Sequence, residues 1–182
     1  MAARKSPQND EPTGASDLGP VVSSAHLAGQ LPALSELEFG MIMAWNAFTR
    51  WMVRAMAAVG YPELGWLDVL VLHSVNSRGR SRRLADICLI LNIEDTHTVT
   101  YSLKKLQKAA LVTSGRQGKE KIVTITEKGQ KACEVYRDIR EQLLVKTIKD
   151  LGLDPEQASR LASLLRALSG HYDQAARSAA AM

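Results

Sequence analysis

Residues 95–129, DTHTVTYSLKKLQKAALVTSGRQGKEKIVTITEKG, run from an amphipathic helical pattern straight into a short hairpin pattern and then into a fresh helix start. Val99, Leu103 and Leu106 fall at i, i+4 and i+7, the spacing of one buried helical stripe. Asp95 or Thr96 can accept from the orphan amides as the N-cap of that helix. Further on, Ile122 and Ile125 are separated by the β-formers Val123 and Thr124, and Gly115 and Gly118 bracket a tight tip. Any fold for this chain must therefore carry a helix with a two-stranded hairpin directly behind it.

The segments before this stretch read as helices. LSELEFGMIMAWNAFTRWMVRAMAAVG opens on Ser35 with Glu38 three residues on, a capping box, and repeats Leu37, Met41, Trp45, Phe48, Met52, Met56 and Val59 at three- or four-residue steps. Phe39, Ile42 and Val53 lie off that stripe, so the helix is apolar around much of its circumference and needs cover on more than one side. A second copy of the same helix from a partner chain supplies that cover in one reading, and wrapping by its own chain does so in the other. WLDVLVLHSV fits a short, deeply buried helix, NSRGR a loop, and SRRLADICLILN a compact helix with Leu84, Ile87, Cys88 and Leu91 on one side, stopping near Asn92.

Two short helices joined by a turn, the second with a polar face at its N-terminal end, form the helix-turn-helix arrangement that enters a DNA major groove. On the second helix Thr96, His97, Thr100, Tyr101, Lys104, Lys105 and Lys108 are left for the outside, with Thr98 near the edge. Hydroxyl, imidazole and phenol groups can hydrogen-bond base edges or phosphates, and lysines gain affinity by releasing counterions. A solvated helix face is the alternative at this point. The hairpin behind it is then a wing, with Arg116 and Lys119 at its tip and Lys121 beside them, placed over phosphates or in a minor groove.

Charge follows the same map. The chain carries +4 overall, but residues 78–131 hold twelve of the basic residues against five acidic ones, a local +7 that leaves the remainder negative. Such an asymmetry suits a surface that meets phosphates.

The stretch RRLADICLILNIEDTHTVTYSLKKLQKAALVTSGRQGKEKIVTITEKGQKACE resembles the winged-helix core of the MarR family of bacterial regulators. The pieces are a Leu-Ala opening of the first helix, TVT on the second, a Leu-Val exit into the wing and TEKG at the next helix start, and the helical organisation extends the likeness over roughly residues 35 to 170. Tyr101 stands where the family often has Arg, and the wing lacks the family's frequent Asp-Arg pair. The resemblance implies a mainly α fold with a small β-hairpin wing, a DNA-binding homodimer whose N- and C-terminal helices interlock, and usually repression of transcription. It also implies a small-molecule effector between dimer base and DNA-binding domain, near Trp45, Trp66 or His73; plain core packing is the alternative for those residues.

Two further helices complete the chain. TEKGQKACEVYRDIREQLLVKTI puts Ala132, Val135, Tyr136, Ile139 and Leu143 on one stripe behind a Thr126 N-cap. DPEQASRLASLLRALSGHYDQ has Asp154 as N-cap and Pro155 at the first helical position, with Ala158, Leu161, Leu165 and Leu168 as its stripe. Leu37, Met41, Trp45, Phe48, Met52, Leu161, Leu165 and Leu168 are the expected dimer interface. The domain plan is a disordered arm over 1–30, an N-terminal dimerisation helix over 31–60, a winged helix-turn-helix over 61–127 and C-terminal dimerisation helices over 128–182.

Other functions lack a sequence basis. There is no Gly-rich phosphate loop, no Ser/His/Asp spacing and no carboxylate cluster, so an enzyme is not expected, and no cofactor is implied. Cys88 and Cys133 sit singly in helical patterns and four scattered histidines lack ligand spacing, so neither a disulfide nor a metal site is expected. With no long apolar run and no signal peptide pattern, the expectation is a cytoplasmic protein whose partners are double-stranded DNA and a second copy of itself. The rival is a winged-helix module used for protein contact or assembly.

Overall fold

A computed structural model describes residues 21–22, 26, 29–77, 81–118, 120–150, 152 and 154–182. Most of the expected arm (1–30), the loop arginines at 78 and 80, and Lys119 lie outside the described residues. The chain divides into two compact units, residues 1–48 and 49–182.

The elements run α1 (Pro32–Val59), α2 (Trp66–Asn76), β1 (Arg82–Arg83), α3 (Leu84–Leu91), α4 (Thr96–Lys108), β2 (Val112–Gln117), β3 (Glu120–Ile125), α5 (Glu127–Arg140), a π-helical turn (Glu141–Val145), α6 (Lys146–Asp150) and α7 (Pro155–Ala179). Helix α1 starts three residues before Ser35, at Pro32, a residue suited to a first turn because its missing N–H has no partner to lose there. The strands form a three-stranded antiparallel sheet in the order β1-β3-β2. Strand β1 pairs Arg82 with Val123 and Arg83 with Ile122, so the wing hairpin is tied back to the start of α3.

The core of the second unit gathers Met52, Ala55 and Met56 from α1, Val69, Leu72 and Val75 from α2, Ile87 from α3, and Val99, Leu103 and Leu106 from α4. Leu111, Val112 and Val123 close it beneath the wing, and Ala132, Cys133 and Tyr136 seal it from α5. The expected stripe of α4 is thus the buried one. Met52, expected at a dimer interface, is only 2% exposed in this core, so it packs within its own chain.

Caps explain where the helices begin. Asp95 accepts from His97 N at 2.8 Å and starts α4. Thr126 accepts from Gly129 N at 2.9 Å and starts α5, and Asp154 accepts from Gln157 N at 2.8 Å and starts α7. Asn92, at φ +51°, ends α3 in the left-handed conformation that Asn tolerates best among residues with a Cβ. Residues 127–150 do not form one regular helix as their stripe suggests: the π-helical turn interrupts it, and Leu143 emerges 64% exposed.

Candidate nucleic-acid interface

The first turns of α4 stand clear of the core. Thr96, His97 and Thr98 are exposed, Tyr101 is 67% exposed and Thr100 is half-buried. The Thr98 hydroxyl donates to Asp95 O at 2.7 Å, which leaves its oxygen able to accept. Together these groups offer hydroxyl, imidazole and phenol chemistry along the end of the helix that would meet base edges.

A cleft of about 510 Å³ runs between the start of α2 and these turns, lined by Gly65, Trp66, Leu67, Asp68, Asp95, His97, Thr98, Tyr101 and Ser102. Trp66 therefore borders the exposed start of α4. His73, seven residues on, packs edge-on against Tyr136 with ring centroids 4.6 Å apart, and burial lowers its pKa.

Behind α4 the wing register sets Arg116 directly across from Lys121. Like charges facing each other across a strand pair repel, and an anion brought near relieves that repulsion. The same two residues line a hollow of about 430 Å³ with Ser114 and Gly115, and the Ser114 Oγ is buried there without a hydrogen-bond partner among the described residues. The two cations suit a phosphate oxygen.

The cations sort into two groups. Among the described residues no carboxylate pairs with Lys104, Lys108, Arg116 or Lys121. Arg83 is spoken for: its guanidinium holds both Asp86 oxygens, at 2.8 and 2.9 Å, and reaches Glu120 at 3.2 Å. That fork holds the Asp86 carboxyl below its ordinary pKa and raises that of Arg83. Lys105, expected to face DNA, is half-buried and its ammonium pairs with Asp68 of α2. Of the expected contacts, then, the structure brings His97, Thr98 and Tyr101 to one helix end and Arg116 and Lys121 to the wing, while Lys105 turns inward.

Sequence reasoning missed Asp68, whose side chain is 5% exposed. The signal was present: one carboxylate inside the apolar run WLDVLVLHSV requires a partner if that run is buried. Lys108, left unassigned beyond its outward position, joins the cations that have no internal carboxylate.

Residues 64–129 match the family model of the winged helix DNA-binding domain. No curated protein matches the chain in sequence. Solved structures similar to the chain include AbfR of Staphylococcus epidermidis, at 20% identity and a TM-score of 0.66, covering 82% of this chain and 99% of that one. A mutant MarR from E. coli, complexed with operator DNA, is 17% identical with a TM-score of 0.63, covering 80% and 99%. NMB1585, a MarR family regulator from Neisseria meningitidis, is 20% identical with a TM-score of 0.61, covering 79% and 95%. Residues 64–129 thus form a winged helix domain, and the chain has the fold of the MarR family regulators, as the resemblance implied.

Proposed function

We propose that this chain, a winged helix protein by fold, is a sequence-specific DNA-binding regulator of transcription that acts as a homodimer and represses its targets. The observation that carries the reading is the exposed polar start of α4, followed on the same helix by Lys104 and Lys108 and then by the wing's Arg116 and Lys121, four cations that no carboxylate among the described residues pairs with. A merely solvated face has no need to set Arg116 opposite Lys121. Helix α4 enters the major groove with His97, Thr98, Thr100 and Tyr101 toward base edges and Thr96 near the backbone. Lys104 and Lys108, with Arg116, Lys119 and Lys121 of the wing, lie along phosphates.

The homodimer is supported by apolar surface that a monomer would leave wet. In residues 32–48 Leu37, Ile42, Met43, Trp45 and Phe48 are each more than 40% exposed, and Met41 is half-buried. On α7, Leu161, Leu164 and Leu165 are 46%, 62% and 39% exposed and Leu168 is half-buried. Two copies would place two recognition helices on successive turns of the duplex, about 34 Å apart. On this reading the protein works on DNA in the cytoplasm. No helix among the described residues is long and apolar enough to cross a membrane.

The test is selection of bound genomic fragments by the purified full chain. Enrichment of a shared, inverted-repeat motif supports the reading, and uniform recovery of all sequences rejects it. Placing the enriched promoter before a reporter then decides the sign: repression predicts lower output when the protein is present.

A further inference from the structure

Asp68 and Lys105 form an internal ion pair across two helices, 37 residues apart in sequence. We infer that this pair is a positioning device that fixes the rotation of the recognition helix about its own axis, so that Lys105 acts through α4 and not on phosphate. The inference rests on the DNA-binding reading above and adds residues to it.

The helix needs such a device because of what holds it otherwise. Its buried side is Val99, Leu103 and Leu106, all 0% exposed, with Ser102 at 2% beside them. Apolar burial is strong but non-directional, so an aliphatic stripe fixes the azimuth of a helix less sharply than a directional bond does. On the flank, the cleft beside Trp66 leaves the first turns of α4 facing open space. Thr98, Tyr101 and Lys105 stand at i, i+3 and i+7, one stripe along the helix surface. Whatever pins Lys105 therefore pins the azimuth of Thr98 and Tyr101.

Asp68 is a fit anchor for that role. It lies in the first turn of α2 and is 3% exposed. Its Oδ2 accepts from Gly65 N at 2.7 Å, so the carboxylate closes its own helix start and cannot follow a moving partner. The same oxygen accepts from the Lys105 ammonium. Charge-assisted hydrogen bonds are short and directional, and fixing register is the best-attested use of a buried ion pair, whose net stabilisation is small. Helix α2 also meets α5 through the His73–Tyr136 contact, so the pair joins the recognition helix to the element that leads toward the C-terminal helices.

The experiment compares Lys105→Met, Asp68→Asn, the double variant and Lys104→Ala in the full chain. Each is assayed on selected and scrambled duplexes over a salt series, with its melting temperature recorded. For positioning, Lys105→Met and Asp68→Asn each lower the ratio of selected to scrambled affinity by about tenfold, the size of one mismatched base pair. The double variant should be no worse than Lys105→Met, because the pair acts as a unit. The salt slope of Lys105→Met stays at the wild-type value, while Lys104→Ala lowers the slope by about one on both duplexes. A reduced folded fraction would weaken both duplexes alike and leave the ratio unmoved.

A salt slope that falls by about one in Lys105→Met, with an unchanged ratio, makes Lys105 a phosphate contact and overturns the inference. Unchanged ratios with lower melting temperatures reduce the pair to packing and overturn it as well. A wild-type protein without preference for any selected duplex brings down the regulator reading itself, which the variants alone cannot do.

Discussion

On the proposed function Arg116 and Tyr101 divide the work of binding in a way that two substitutions can separate. Arg116 faces Lys121 across the wing and carries charge without a fixed base partner, so Arg116→Ala should weaken selected and scrambled duplexes equally and lower the salt slope by about one. An affinity and slope both unchanged would take the wing off the DNA. Tyr101, 67% exposed at the reading end of α4, should behave oppositely: Tyr101→Ala alters which sequences are selected and leaves scrambled binding near its wild-type value. His73 bears on stability instead. Burial lowers its pKa from the ordinary 6.5, so the unfolded chain takes up the proton first as pH falls. Its contribution is fully present above about pH 6.5 and is lost as pH drops through the lowered folded value. The melting temperature should therefore fall as pH drops below about 6.5, and less steeply in His73→Phe, which keeps a ring against Tyr136. Identical pH profiles for the two proteins would remove His73 from the account. The two thiols play no comparable part: burial raises both, that of Cys133 to about 11, which keeps them protonated core groups at neutral pH.

At the scale of elements, the junction between wing and α5 explains the TEKG motif in physical terms. Thr126 Oγ1 donates toward Ala110 O and Leu111 O at 2.9 and 3.0 Å, Thr126 N donates to Leu111 O at 3.1 Å, and Lys128 Nζ donates to Ala109 O at 3.0 Å. The helix start is thus latched onto the exit of α4. Gly129 lets the two backbones meet: a Cβ there would sit 2.1 Å from Leu111 O and 2.7 Å from Ile125 Cδ1. Since a carbonyl cannot step aside as a side-chain tip can, Gly129→Ala should destabilise by about 1–3 kcal/mol or more despite the better helix propensity of Ala. Chemical denaturation measures this, and a variant as stable as wild type would mean that the approach is looser than it looks. The motif's Thr cap was legible in sequence, as were the Asp154 cap, the α4 cap narrowed to Asp95 or Thr96, and the stripe of α4, because each is a local pattern with a local cause; the need for Gly129 was not, since it comes from the approach of Leu111 O. Strand β1 was not, since two arginines carry no strand signal and form a strand only because β3 lies alongside. The Asp68–Lys105 pair was equally hidden: pairwise proximity across 37 residues depends on how α2 and α4 cross, and a lysine on a polar helix face reads as solvated until its partner is seen.

For the molecule as a whole, the decisive quantity is the apolar surface that the chain alone leaves uncovered. None of the 25 residues of α7 is buried, although Leu161, Leu164, Leu165 and Leu168 recur at helical spacing along it. Monomeric proteins do not ordinarily expose contiguous apolar stripes of this kind, and two copies that bury them against each other gain from every such side chain. Leu165 discriminates well between assembly and folding, because at 39% exposed it is not part of the core that holds the winged helix together. Met52 would not, since its loss would unfold the chain that carries it. We expect wild-type protein at micromolar concentration to sediment as one species of twice the chain mass, and Leu165→Asp to sediment as a monomer, because a carboxylate buried unpaired in the interface is costly. Its far-ultraviolet dichroism should stay helical. Operator affinity should then fall steeply, since one recognition helix must bind without the effective concentration that its dimer mate supplies. A Leu165→Asp protein that remains dimeric moves the interface off this stretch of α7, and a folded monomer that holds the operator as tightly as wild type removes the dimer from the mechanism.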